Sequence, residues 1–343
     1  MLLLSLETSC DETSAAVIRD GVVLSNPVST QIRLHEEYGG VVPELATREH
    51  LRNLPVVVRT ALRQAGVEAC QLEALAATRG PGLPNALMTG LKFAQSMAFV
   101  LGRPFFGIHH HEAHLYSPWI QGTPPQAHFS EFQPNVSLIV SGGHTLLVSV
   151  NALLDHEVIG STIDDAAGEC FDKIAKLIGL PYPGGPQLDR LARLGRKDAY
   201  AFPRPMLKDP GLDLSFSGLK TAVRYFVEKH PECVAEGSAR NDLCASVQAA
   251  IVDVLLAKLA RAVEKEGVRC VTASGGVTCN SALREGLQRL CAREGYELRL
   301  AEPSLCTDNA AMIGILAERK LIAGVAPSGL DEEPMPSWAL PGA

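Results

Sequence analysis

Short apolar runs broken by small polar turns open the chain. Leu2 to Leu6 form an apolar run, Thr8-Ser9-Cys10-Asp11-Glu12-Thr13-Ser14 a polar turn, and Ala15-Ala16-Val17-Ile18 a second run. Asp20-Gly21 reads as a hairpin turn leading to Val22-Val23-Leu24-Ser25. The pattern predicts strand, turn, strand, turn, strand. The same device returns later: Ser137-Leu138-Ile139-Val140, the turn Ser141-Gly142-Gly143-His144-Thr145, then Leu146-Leu147-Val148-Ser149-Val150. Two copies of one motif predict an internally duplicated fold, each copy opening one lobe.

Strand–turn–helix units accompany the hairpins. Leu75-Ala76-Ala77-Thr78 leads through Arg79-Gly80-Pro81-Gly82-Leu83-Pro84 into an apolar helix from Asn85. Arg269-Cys270-Val271-Thr272-Ala273 leads through Ser274-Gly275-Gly276-Val277 into a helix from Asn280 to about Glu294. Glycine at such junctions allows close backbone approach, and helix N-termini attract anions. Glu44–Gln64 has helical periodicity, broken or bent by Pro55. Residues 164–173 predict a helix running to about Ile178 and ended by Gly179. From Pro327 onward the chain is rich in Pro, Gly and acid and reads as a loosely ordered tail.

Composition adds limits. A chain of 343 residues, 46% hydrophobic and 20% charged, suits two packed lobes with sizeable cores. The N-terminus has no basic region and its apolar run stops at Glu7, which reads against a signal or transit peptide. The best membrane-span candidate, Leu87–Leu101, contains Lys92 and Gln95 and reads as a buried helix, so the expected location is cytoplasmic. Nine cysteines, none in C-x-x-C spacing, read as reduced core thiols. Net charge is −7, which argues against a dedicated nucleic-acid binder. Residues 173–224 are basic, however, with Lys173, Arg193 and Arg196 among ten cations against four aspartates. That span is either a solvated surface or a phosphate-contacting face.

The chemistry-bearing residues gather in a few motifs. In His109-His110-His111-Glu112-Ala113-His114, His110 and His114 stand four apart and share one helix face. That spacing fits a metal-ligand pair or two structural histidines. It is not the H-E-x-x-H motif of zinc proteases, because His111-Glu112-Ala113-His114 is one residue short. Asp308, just before an apolar helical pattern, is either a third ligand or an N-cap. Asp11 and Glu12 form a carboxylate pair able to orient a nucleophile, bind Mg²⁺ or repel phosphate, unless Asp11 only makes an Asx-turn. Asp172 falls on a helix face away from Phe171, open to a ligand. The Gly142-Gly143 and Gly275-Gly276 turns match neither the Walker pattern nor G-x-G-x-x-G.

Taken together, ETSCDETSAA at the start, GGVVPELATREH (39–50), RGPGLPNAL (79–87), HHHEAH (109–114), SGGHT (141–145), DDAAGECFDK (164–173), YPGGPQLD (182–189), SFSGLKTAV (215–223), SGGVTCN (274–280) and CTDNAAMIG (306–314) resemble the tRNA threonylcarbamoyladenosine transferase family, TsaD, in its bacterial branch. The resemblance implies an α/β, two-lobed actin/sugar-kinase/Hsp70-type (ASKHA) fold with duplicated ribonuclease-H-like lobes. The expected division is 1–108 with about 308–326 as one lobe, 109–307 as the other with an inserted helical segment at 164–230, and the tail from 327.

It further implies transfer of a threonylcarbamoyl group from threonylcarbamoyl-AMP to the exocyclic amine of the adenosine beside the anticodon, in tRNAs reading codons that begin with A. One divalent metal, Fe²⁺ or Zn²⁺, is implied on His110, His114 and Asp308. Implied substrate contacts are Ile139, Val140, Ser141, Gly142, Gly143, Asp172, Gly185, Asp189 and Asn280, with Asp11 and Glu12 as the catalytic carboxylates. Implied partners are tRNA, for which Lys173, Arg193 and Arg196 are candidate contacts, a paralogous TsaB-type subunit and a TsaE-type ATPase. Competing readings are a small-molecule kinase on the same fold, a metalloprotease, and a non-catalytic scaffold.

Overall fold

The first apolar run forms β1 (Leu2–Glu7), which pairs antiparallel with β2 (Glu12–Arg19) across the turn that holds Asp11. Asp20 and Gly21 both take positive φ, 50° and 78°, as a two-residue hairpin into β3 (Val22–Ser25) requires. A short β4 (Val28–Thr30) and helix α1 (Ile32–Glu36) lead to α2 (Pro43–Ala65). Next come β5 (Ala74–Gly80), α3 (Pro84–Leu101), β6 (Phe105–His109), α4 (His110–Tyr116) and a small ribbon of β7 (Ile120–Gln121) and β8 (Gln126–Ala127). The sheet order is β6-β5-β1-β2-β3-β8-β7, with β4 alongside β2.

A second sheet follows, made of β9 (Asn135–Val140), β10 (Thr145–Ala152) and β11 (Asp155–Ser161). Helices α5 (Ala167–Leu177), α6 (Gly184–Ala192) and α7 (Ser217–Lys229) come next, and then the long α8 (Ser238–Glu266). The sheet is completed by β12 (Cys270–Ser274), α9 (Ser281–Glu294) and β13 (Glu297–Leu300), in the order β11-β10-β9-β12-β13. The chain ends with the short α10 (Pro303–Cys306) and α11 (Ala310–Ile322).

The duplication is explicit in the pairing. In each sheet a three-strand antiparallel meander is followed by two parallel strands on the far side of its first strand: β3-β2-β1-β5-β6 repeats as β11-β10-β9-β12-β13. The computed structural model describes residues 1–342, which divide into two units. The first is Met1–Phe132 with Ala301–Leu340; the second is Gln133–Leu300 with Pro341 and Gly342. The expected break after residue 108 is therefore corrected. Helix α4 packs on α11, and β8 pairs with β3, which keeps residues 109–132 with the first unit.

Two further expectations change. Helix α2 runs unbroken through Pro55, because Leu54, Val57, Val58 and Ala61 pack into the core under β1 and β2 and outweigh the missing hydrogen bond. The C-terminal segment is not loose. Ser328 N–H donates to Phe105 O (2.8 Å), Met335 N–H to Arg79 O (2.8 Å) and Gly82 N–H to Pro336 O (3.1 Å), while Arg79 pairs with Glu332 at 2.8 Å. Its carboxylates and carbonyls find partners on β5 and α3 that composition does not reveal.

In the second unit, α8 is long and apolar enough to span a membrane, yet 72% of its most apolar window is buried. Val247, Ile251, Val254, Leu255 and Leu259 make it the central core helix there.

Candidate metal centre and nucleotide turn

Helix α4 starts where β6 ends. His109 caps it, its Nδ1 accepting the Glu112 N–H at 3.3 Å. One helical turn then places His110 and His114 on the same face, their ring centroids 4.8 Å apart. Asp308 lies just before α11. The N-cap of that helix is Asn309, whose side chain accepts the Met312 N–H at 3.2 Å. The Asp308 carboxylate is therefore not used as the cap and faces the histidines instead. Its Oδ1 stands 3.3 Å from Nε2 of His110 and 3.3 Å from Nε2 of His114. One donor atom from each of the three residues falls within 4.8 Å of the other two.

Two imidazole nitrogens and one carboxylate oxygen form a donor set that suits Fe²⁺ or Zn²⁺, and three protein ligands leave positions for substrate. The surroundings favour positive charge. Burial pushes the His110 imidazole down, but Asp308 and Glu7 on either side outweigh it and hold its pKa well above the usual range. Burial would raise the Asp308 carboxyl, and the adjacent His110 and His114 instead hold it well below the carboxylate range. His114 is lowered, by burial first and then by the neighbouring charge of His110, against the opposing contact with Asp308.

The turn between β1 and β2 supplies the acids. Asp11 is buried, and its carbonyl accepts the Gln31 N–H at 3.1 Å. Glu12 has a carboxyl raised well above its usual value, by burial and then by the like charges of Asp11 and Asp308. His50 braces this turn, with Nδ1 2.8 Å from Thr13 Oγ1 and Nε2 2.9 Å from the Cys10 carbonyl. Neither His50 nor Glu7 stands out in the sequence. Each sits within a regular helix or strand pattern, where only the fold reveals its partner.

In the second unit, Ile139 and Val140 end β9, and Ser141-Gly142-Gly143 turn into β10, with Ser141 N–H donating to His144 O at 2.8 Å. A Cβ on Gly142 or Gly143 would meet nothing within 4 Å, so this backbone faces open space. Behind the turn the packing is tight. A Cβ on Gly168 would come 2.3 Å from Ser141 O, and one on Gly275, at φ 91°, would come 2.3 Å from Val140 O. The starts of α5 and of the 274–280 loop are thereby pressed against the turn. Asp172 does not point freely outward, since its Oδ1 accepts the Gly185 N–H at 3.0 Å and ties α5 to α6. Asp189 accepts from Ser281 Oγ (2.6 Å) and Arg193 (2.8 Å). Asn280 caps α9 through Leu283 N–H and donates to Gln248 at 2.7 Å.

Asp164 accepts from the Ser215 and Ser217 hydroxyls and the Phe216 N–H, clamping the start of α7. Burial would raise its carboxyl, and these hydrogen bonds hold it below the usual range. Of the basic candidates, Lys173 pairs with Glu169 and Asp165, Arg193 with Asp189, and Arg196 with Asp242.

Duplicated lobes of one sheet topology, with a glycine turn on one and a candidate two-histidine, one-carboxylate metal centre on the other, define an α/β protein of the ASKHA fold. The family model described as "TsaD: tRNA N6-adenosine threonylcarbamoyltransferase" matches residues 22–315. The tRNA N6-adenosine threonylcarbamoyltransferase of Geotalea uraniireducens is 48% identical over 341 residues, covering 99% of this chain and 97% of the relative. That of Trichlorobacter lovleyi is 49% identical over 325 residues, covering 94% and 93%. The chain belongs to the tRNA N6-adenosine threonylcarbamoyltransferase family.

Two solved structures agree on the fold. Full-length HypF in its phosphate- and nucleotide-bound form superposes with a TM-score of 0.63 at 14% identity, over 95% of this chain and 47% of that one. The activator of the 2-hydroxyisocaproyl-CoA dehydratase from Clostridium difficile, with bound ADPNP, gives 0.52 at 12% identity over 96% and 99%.

Proposed function

We propose that this enzyme takes its threonylcarbamoyl group from threonylcarbamoyl-AMP and delivers it to the exocyclic amine of adenosine 37, beside the anticodon, in tRNAs reading ANN codons. The convergence of one donor atom each from His110, His114 and Asp308 within 4.8 Å carries this reading. In the reaction the amine nitrogen bonds to the carbamoyl carbon, the bond from that carbon to the phosphate oxygen breaks, and AMP leaves with the electron pair. The amine gives up one proton.

His110, His114 and Asp308 would hold one Fe²⁺ or Zn²⁺, which when bound supplies Lewis-acid polarisation of a substrate oxygen. Glu12, which opens β2 beside Asp11, is assigned as the group that accepts the amine proton. Asp11 is the second carboxylate of the pair. The open backbone of Ser141-Gly142-Gly143 is assigned to the AMP phosphate, whose oxygens take N–H donors without a side chain in the way. Ile139 and Val140 support that turn. Gly185, Asp189 and Asn280, linked through Asp172 and Ser281, are assigned to the rest of the adenylate.

The remaining assignments are the basic side chains Lys173, Arg193 and Arg196 for tRNA, a TsaB-type paralogue and a TsaE-type ATPase as partners, and a cytoplasmic location. The test is reconstitution of the purified chain with threonylcarbamoyl-AMP and unmodified tRNA, with and without the two partners. Threonylcarbamoyladenosine in the tRNA and release of one AMP per modification are expected. Consumption of the donor without modified tRNA, in every combination, overturns the assignment.

A further inference from the structure

We propose that Glu7 is a positioning residue of the metal centre, fixing the tautomer and ring orientation of His110 so that Nε2 presents its lone pair to the ion. The proposal rests on reading His110, His114 and Asp308 as that centre.

Glu7 is the last residue of β1 and is fully buried. Burying a carboxylate in an apolar sheet is costly unless its oxygens are satisfied. Both are. Oε1 accepts the Ser9 N–H, and Oε2 accepts from the Thr78 hydroxyl and lies 3.0 Å from His110 Nδ1. Leu2, Leu3, Leu4 and Leu6 share the strand, so a leucine at position 7 would continue the pattern without that cost. The carboxylate's role here follows from the atoms it meets.

A neutral imidazole carries a proton on one nitrogen and a lone pair on the other. A carboxylate only accepts, so Nδ1 carries a proton and donates it in the hydrogen bond to Glu7. In the loaded centre Nε2, which stands 3.3 Å from Asp308 Oδ1, would offer its lone pair in place of a proton, while Nδ1 keeps its hydrogen bond to Glu7. Ser9 Oγ, 3.3 Å from the same Nδ1, lies on the Glu7 side of the ring as well. Thr78, on β5, holds Oε2 in place from the neighbouring strand, so ring orientation is set by sheet register rather than by a mobile loop. Removing such a carboxylate partner from a ligating histidine typically weakens metal binding about 10- to 100-fold.

The test is Zn²⁺ affinity of the full chain, measured by competition with a chromogenic chelator, together with histidine side-chain ¹⁵N shifts that report the tautomer. Glu7→Gln keeps an acceptor without the charge and is expected to weaken Zn²⁺ roughly 10-fold; Glu7→Leu is expected to weaken it roughly 100-fold and to mix the His110 tautomers. Thr78→Val, which loosens Glu7 without touching His110, gives a smaller loss and serves if Glu7→Leu does not fold. Wild-type affinity and an unchanged Nδ1–H tautomer in the folded Glu7 variants overturn the proposal. If His110→Ala and Asp308→Asn also bind Zn²⁺ as wild type does, the metal centre itself is wrong. If only those two lose the ion, the centre stands and Glu7 has no part in it.

Discussion

The ring of Trp338 lies against that of His109, centroids 4.8 Å apart, and the Trp338 carbonyl is 3.1 Å from His109 Nε2. His109 is the cap of α4, so the C-terminal segment bears on the helix that carries both histidines of the candidate metal centre. Trp338→Ala is expected to lower stability by about 1–2 kcal/mol, because the apolar area it covers returns to water. Deleting residues from 329 onward is expected to lower the melting temperature further and to reduce retained metal after dialysis. Calorimetry and metal analysis of the two variants check this.

His110→Ala and Asp308→Asn are each expected to leave the fold intact while removing bound metal. Transfer should fall by about a hundred- to thousandfold, the effect of losing one electrostatic stabiliser of the transition state. Single-turnover assays with metal content measured on the same samples decide it. Wild-type turnover in either variant would remove that residue from the site.

Asp164 gives a pH signature. Its folded-state carboxyl is held below the usual range, so the stability it contributes is present above the unfolded value of about 3.9 and is lost as pH falls through the folded value. Asp164→Asn should therefore melt below wild type at pH 7, and the gap should close in acid. Thermal melts from pH 7 to pH 3 test the trend.

Changing Lys173, Arg193 and Arg196 together to alanine is expected to weaken tRNA binding and flatten its dependence on salt, by about one unit of log–log slope for each phosphate no longer neutralised. All three already hold carboxylate partners, yet Arg193 and Arg196 keep side chains 60% and 75% exposed. Titrations at several salt concentrations read the slope. An unchanged slope places tRNA elsewhere.

Much of the fold and part of the site were legible from residue order. The duplicated hairpins announced themselves because each pairs apolar runs around a small polar turn, and the His110–His114 spacing fixed their common face. Asp308 was ambiguous for a physical reason: it is followed by Asn309, an equally good cap, and only the fold shows which of them bonds Met312 N–H. Glu7 was silent because a carboxylate ending an apolar run reads as the point where a strand reaches water. Its partners, Thr78 and His110, lie 71 and 103 residues away. The C-terminal segment misled because Pro, Gly and acid describe a loop equally well when Arg79 and Lys92 anchor it.

The first unit is interrupted in sequence: it begins the chain, breaks off at Phe132 and resumes at Ala301. Asp308 follows His114 by 194 residues. At about 5–20 residues per second of synthesis, some 10–40 s separate the translation of the two histidines from that of their carboxylate partner. During that interval the nascent chain on the ribosome carries two of the three ligands of the proposed centre, so its completion has to wait until translation is nearly finished.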